Sequence, residues 1–153
     1  MNTSPGSDVA GPSPGLRGPN AGATPGRRQA RERALSLLYE AETKGVDPSQ
    51  VLASLPVEPA PFATDLVAGV GEHQEEVDGY IRRFARGWAL ERMPALDRAL
   101  TRIGVYELLH RPDVPTGAVL SEAVELAGRY STEESGRFVN GLLAQIAREV
   151  RPE

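Results

Sequence analysis

The sequence predicts an all-α fold of about seven helices. Apolar residues recur at three- and four-residue spacing from Arg27 to Arg148, and prolines, glycines or capping side chains mark the interruptions. No β-type alternation runs longer than a few residues. At 153 residues the chain is about one domain by length and long enough to bury a shared core.

Residues 1–26 are almost entirely Gly, Pro, Ser, Ala, Asn and Thr, and too little of that segment is apolar to offset its ordering entropy. It is expected to be a disordered tail, with the helical domain covering 27–153. The first helix, RRQARERALSLLYEAETKG, sets Ala30, Ala34, Leu37, Leu38 and Ala41 on one face and closes at Gly45. Asp47 followed by Pro48 signals a new start, a capping side chain before a proline in the first turn, and opens a short helix through Leu55.

A Pro-rich loop from Pro56 to Pro61 precedes a long amphipathic stretch carrying Phe62, Leu66, Val70, Val77, Ile81 and Phe84. An interruption is expected near Gly69 and Gly71. WALERM reads as a short helix, and Pro94 opens another through about Leu109. RPDVP is a rigid connection, because each proline pushes its predecessor out of helical space. A sixth helix spans roughly Gly117 to Tyr130. Ser131 and Glu134 have capping-box spacing and should start the last helix, which runs to about Arg148. A break near residue 86 would divide the helices into two packed subdomains.

Composition excludes several classes of function. No apolar run approaches the ~20 residues of a membrane span, and no signal-peptide core is present in the first residues. A cytoplasmic protein is expected. The chain has no cysteine, hence no disulfide, thiol nucleophile or cysteine-ligated zinc. His73 and His110 are the only histidines, and they are too scattered in sequence to suggest a metal site. Neither metal nor cofactor is expected.

Catalysis is not expected either. Gly69-Val70-Gly71 lacks the strand and further glycines of a phosphate loop, and Asp65, Glu72, Glu75 and Glu76 read as solubilising charges.

Charge is unevenly placed. The chain carries a net charge of −4, yet residues 27–33 hold four arginines against one glutamate. One basic edge on an acidic body suits a protein that touches nucleic acid along a single face. On a helical wheel Arg28 and Tyr39 fall within about 20° of each other, flanked by Arg31 and Glu32 and opposite Ala34, Leu37 and Ala41. An aromatic among arginines on a polar face can stack on an unpaired base while the arginines hold phosphates; a solvated edge is the competing account. In the last helix Phe138 stands at the rim of the apolar stripe beside Glu134 and Arg137, another stacking candidate and equally a core residue. Trp88 and Tyr106 read as packing residues, and Arg102 and Glu107 as a structural ion pair or cap.

Four blocks of sequence carry a family resemblance. RRQARERALSLLYEAE resembles the opening helix of NusB proteins. WALERMPALDRALTRIGVYELLHRPDVP resembles their central signature, and SEAVELAGRYSTEESGRFVNGLLAQI their closing one. With FATDLVAGVGEHQEEVDGYI, the similarity extends from about Arg27 to Arg148.

The resemblance implies an all-helical RNA-binding factor in two helical subdomains. Such a factor pairs with the ribosomal small-subunit protein NusE, binds the single-stranded boxA element of nascent ribosomal RNA leaders, and joins an RNA polymerase antitermination complex. It assigns RNA contacts to Arg27, Arg28, Arg31, Tyr39, Glu134, Arg137 and Phe138, and a partner contact to Asp97. The sequence departs from the family pattern at three positions. Gln29 stands where some members have arginine, Ser121 precedes Glu122 in place of a common asparagine, and Gly136 takes a position that is often polar.

Two other readings compete. A helical protein-binding adaptor, as a homodimer hiding its arginine edge, would bind no boxA RNA. An RNA-binding module related to ribosomal RNA cytosine methyltransferases would need a cofactor domain and catalytic cysteines that this sequence does not contain.

Overall fold

The computed structural model describes residues 25–86 and 90–152. Seven α-helices lie within them: α1 (Pro25–Lys44), α2 (Pro48–Ser54), α3 (Pro61–Glu72), α4 (Gln74–Phe84), α5 (Ala95–His110), α6 (Thr116–Tyr130) and α7 (Glu133–Val150). Among the described residues there is no strand, and a 3-10 turn, Leu90–Arg92, precedes α5. None of these helices is long and apolar enough to cross a membrane. Of the expected tail, residues 1–24 lie outside the described residues, as does Trp88. The helix itself starts at Pro25, two positions before the expected boundary.

Local chemistry accounts for most of the helix ends. Gly45 adopts φ 68°, the left-handed conformation that closes a helix, and Val46 N–H donates to Ala41 O at 3.0 Å across it. Pro48 starts α2, with Asp47 N–H donating to Gln50 Oε1 at 2.9 Å. The last helix differs from expectation. Thr132 caps it, its hydroxyl accepting from Ser135 N–H at 2.9 Å, and Ser131 instead donates to the Ser135 hydroxyl. The cap thus lies one residue later than the Ser131–Glu134 spacing suggested.

The long amphipathic stretch is interrupted close to its glycines, as expected, but at His73 and not at the glycines themselves. Helix α3 runs straight through Gly69 and Gly71 because they serve packing. A Cβ on Gly69 would lie 2.1 Å from the Tyr106 ring, and one on Gly71 would lie 3.2 Å from Pro48. These glycines let α5 and α2 approach α3 closely.

One cluster of buried apolar side chains draws on all seven helices, from Ala34 to Ala147. Helix α5 is its centre, packing against α1, α3, α4, α6 and α7. It therefore joins helices from both sides of the break expected near residue 86. Its C-terminal end is held by Arg151, which follows α7. The Arg151 guanidinium donates to the carbonyls of Glu107, Leu108, Arg111 and Val114 at 2.6–3.1 Å. Those carbonyls lie in the last turn of α5 or just beyond it, and those of Glu107 and Arg111 also accept from the backbone N–H groups of Arg111 and Val114.

Candidate nucleic-acid interface

The arginines of α1 are tied to carboxylates of other helices, and burial sorts them into two kinds. Arg31 is only 2% exposed. Its guanidinium donates to both oxygens of the equally buried Glu107, Nε to Oε2 at 2.9 Å and Nη2 to Oε1 at 2.7 Å. Expected to flank an RNA-facing stripe, Arg31 is instead a core residue that anchors α1 to α5. No phosphate can reach it without opening the core. The sequence did carry a signal for this: Arg31 precedes the buried Leu35 by four positions and the buried Leu38 by seven, so it lies on their stripe.

Arg27 and Arg28 stand nearer the solvent. Arg28 makes a two-pronged pair with Glu122 of α6, at 3.0 and 2.7 Å, and this hydrogen bonding holds its pKa above the ordinary arginine value. Glu122 is fully buried, a role its sequence position among Val119, Ala123 and Leu126 made readable. Arg27 Nη2 donates to Asp113 Oδ2 at 3.0 Å, in the α5–α6 connection. Arg27, Arg31 and Arg111 all lie over the Phe62 ring, with guanidinium carbons 4.8–5.2 Å from its centroid. Arg111 also pairs with Asp113 and Asp65, and its hydrogen bonds hold the Asp113 carboxyl well below the usual carboxylate range.

One turn after Arg28, Glu32 accepts from Arg129 at 2.6 Å and from the Tyr130 hydroxyl at 3.0 Å. The bonds from Arg28 to Glu122 and between Glu32 and Arg129 join α1 to α6 along this face. Tyr39 continues the stripe two turns beyond Glu32, about 10 Å further along the axis. Tyr39 is 42% exposed, as its place on the polar side of α1 suggested.

At the start of α7 the fold brings three other candidates together. Asp97, Glu134 and Phe138 line one pocket of about 380 Å³, along with Met93, Pro94 and Thr132. Glu134 is exposed, and Phe138 is half-buried with its ring packed against the core. Asp97, expected on a partner surface, is 3% exposed. One of its oxygens accepts from the Ser135 hydroxyl at 2.7 Å, and Oδ1 is buried with no hydrogen-bond partner. Its role on an open surface is therefore corrected to one at the bottom of a pocket. Arg137 is exposed on the other flank of α7, in a shallow groove with Ser121, Glu125, Gly128, Glu133 and Asn140.

Several side chains outside this face carry structural tasks that the sequence left open. Arg102 and Glu107 do not pair with each other; Arg102 donates to Asp78 at 2.8 and 2.9 Å. Asp65 is more than a solubilising charge, accepting from the Tyr106 hydroxyl at 2.9 Å and from Arg111 at 2.8 Å. Burial, with that hydrogen bond to Asp65, pushes the Tyr106 hydroxyl up to about 12.

The NusB family matches residues 28–148. A transcription antitermination protein NusB from Kineococcus radiotolerans is 48% identical over 125 residues, covering 79% of this chain and 92% of the relative. One of the same name from Heliobacterium modesticaldum is 46% identical over 131 residues, covering 82% of this chain; the match spans 64% of that longer relative. Among solved structures, NusB from T. maritima superposes with a TM-score of 0.73 at 34% identity, covering 82% of this chain and 92% of that one. A chain from a structure of antitermination factors NusB and NusE in complex with double-stranded RNA gives 0.69 at 28% identity, covering 81% and 97%.

Proposed function

The chain belongs to the NusB family of transcription antitermination proteins, and from that premise we propose that it binds boxA RNA of nascent ribosomal transcripts as a heterodimer with the ribosomal protein NusE. The complex then helps RNA polymerase resist premature termination. RNA lies along the α1–α6 edge and reaches the first turns of α7. Arg27 and Arg28 supply phosphate contacts, and Tyr39 stacks on an unpaired base. Phe138 offers a second stacking face, and Glu134 and Arg137 contact base edges. Arg31 sets the position of α1 and takes no part in binding. Asp97 receives a donor from the protein partner through the pocket beside Phe138.

The observation that supports RNA binding most is Tyr39. It is a large aromatic side chain, 42% exposed, on the helix that carries the arginines. Burying an aromatic face against a base gives it a task that packing within the chain does not. The protein acts by binding and not by catalysis, in the cytoplasm where nascent transcripts are made. Residues 25–152, packed around one core, work as one helical domain.

The test is a titration of boxA RNA with this protein, with and without its ribosomal partner, at two salt concentrations. Partner-enhanced and salt-sensitive binding, absent with scrambled RNA, is the expected result. No RNA binding in either case, together with a stable homodimer in solution, would replace this reading with that of a protein-binding adaptor.

A further inference from the structure

The chain has two histidines, distant in sequence, and the fold sets them face to face. His73 occupies the junction of α3 and α4, and His110 is the last residue of α5. Their ring centroids lie 4.0 Å apart with the planes 28° from parallel. Glu76 stands beside both: its Oε1 is 2.8 Å from His110 Nε2 and 3.5 Å from His73 Nδ1. All three donor atoms lie within 4.8 Å of one another. The Tyr106 ring, 5.3 Å from that of His110, walls the cluster on one side. A plain ion pair with Glu76 would need one imidazole; here two converge on a single carboxylate.

We propose that His73, Glu76 and His110 form a binding site for a divalent transition-metal ion of the zinc type. Two imidazole nitrogens and one carboxylate are a donor set suited to zinc, nickel or cobalt, whereas magnesium and calcium prefer oxygen alone. Ligand atoms around a four-coordinate zinc lie about 3.3 Å apart, given bonds of about 2.0–2.1 Å. Closing to that distance requires the two rings to splay. The side chains are partly open to solvent, 36%, 46% and 30% exposed for His73, Glu76 and His110. His73 also has non-helical backbone angles, φ −108° and ψ 22°, so its placement is not dictated by a helix interior. With three protein ligands the ion keeps a coordination position for water. Glu72, whose Oε1 is 3.8 Å from His73 Nε2, adds nearby negative charge that favours a cation.

Such an ion would tie the α3–α4 corner to the end of α5. The α5–α6 connection that begins there holds Arg111 and Asp113, the partners of Arg27 and Phe62. The site is therefore placed to stiffen the support of the α1 arginines without touching RNA. Its existence does not depend on RNA binding.

Calorimetry with the full chain, freed of metal by chelation, tests the proposal. Zinc chloride should bind at one equivalent and magnesium chloride should not. His73→Gln and His110→Gln should each weaken zinc binding by about tenfold or more, on the scale of losses at metal sites. In the unaltered protein, both histidine ring signals should shift together in the NMR spectrum and stop shifting at one equivalent. That readout decides the matter even where a variant fails to fold. Absence of stoichiometric binding, or ring signals that stay in place, would overturn the site. So would zinc affinity retained in the folded His73→Gln/His110→Gln double variant.

Discussion

At the N-terminal half of α1 each of three arginines has a carboxylate: Arg27 has Asp113, Arg28 has Glu122 and Arg31 has Glu107. At the start of α7 the balance runs the other way, and the buried Asp97 keeps an oxygen without a partner. In the first region Arg31 Nη1 is likewise buried without a partner, whereas in the second the unpartnered Asp97 lines a pocket of about 380 Å³. A run of cations is therefore a poor guide to where a protein is ready to bind. The vacant hydrogen-bonding capacity that lines a pocket sits at Asp97, where the sequence looks unremarkable. Binding at α1 shares Arg27 or Arg28 with a carboxylate, whereas binding at Asp97 satisfies a group the fold leaves wanting.

The largest effect should come from breaking the first region at its buried point. Glu107→Ala strands the Arg31 charge and should cost about 3–5 kcal/mol, read from urea unfolding, while an Arg31→Met/Glu107→Leu pair should recover most of it. A cost below 1 kcal/mol would mean that Arg31 finds water and is not closed at all. Tyr39→Ala should leave stability nearly unchanged and remove about 1–3 kcal/mol of RNA binding. Phe138→Ala should lose a similar amount of binding but also stability, because its ring packs on the core. Equal RNA affinity in both folded variants would remove stacking from the proposal.

The second region is sharpened by Asp97→Asn. The amide keeps an acceptor for Ser135 and removes a buried charge, so folding should not suffer, while pairing with the ribosomal protein should weaken by about 1–3 kcal/mol. Unchanged heterodimer affinity would take Asp97 out of that interface. Gly136→Ala should stabilise α7 by about 0.4–1 kcal/mol, since an added Cβ meets its nearest neighbour, Val124, at an ordinary 3.7 Å. Thermal melting checks this.

The smallest effect concerns pH. Its hydrogen bond to Arg98 lowers the Glu42 carboxyl below its ordinary range. The pair's contribution is full above about pH 4.3, the unfolded value, and disappears as pH falls through the lower folded value. Glu42→Gln should thus be less stable than the unaltered chain at neutral pH, by under about 1 kcal/mol, with the gap closing in acid.

Helices were legible in the sequence because their limits are written locally. Gly45, Pro48, Pro94 and the prolines around Asp113 each restrict the backbone within a residue or two of where they stand. Gly69 and Gly71 misled because their reason lies in Tyr106 and Pro48, on other helices. Arg31 misled in the same way. Periodicity reveals that it shares a stripe with Leu35 and Leu38, but a buried arginine becomes tolerable only once Glu107 is known to face it. The candidate site was legible by residue type at Tyr39 and Phe138, and illegible in its pairing at Arg28, Asp97 and the two histidines. Contacts across many tens of residues leave no local trace.

The hold of Arg151 on the end of α5 has a consequence for how the protein is made. Translation delivers α5 long before the guanidinium that completes it. Until residue 151 has emerged from the ribosome, the carbonyls of Leu108 and Val114 lack the guanidinium, and those of Glu107 and Arg111 keep only the backbone N–H groups of Arg111 and Val114. The central helix of the core is thus finished at its C-terminal end only after α7 has been made, and a nascent chain that stops short of residue 151 still has its hub unlatched.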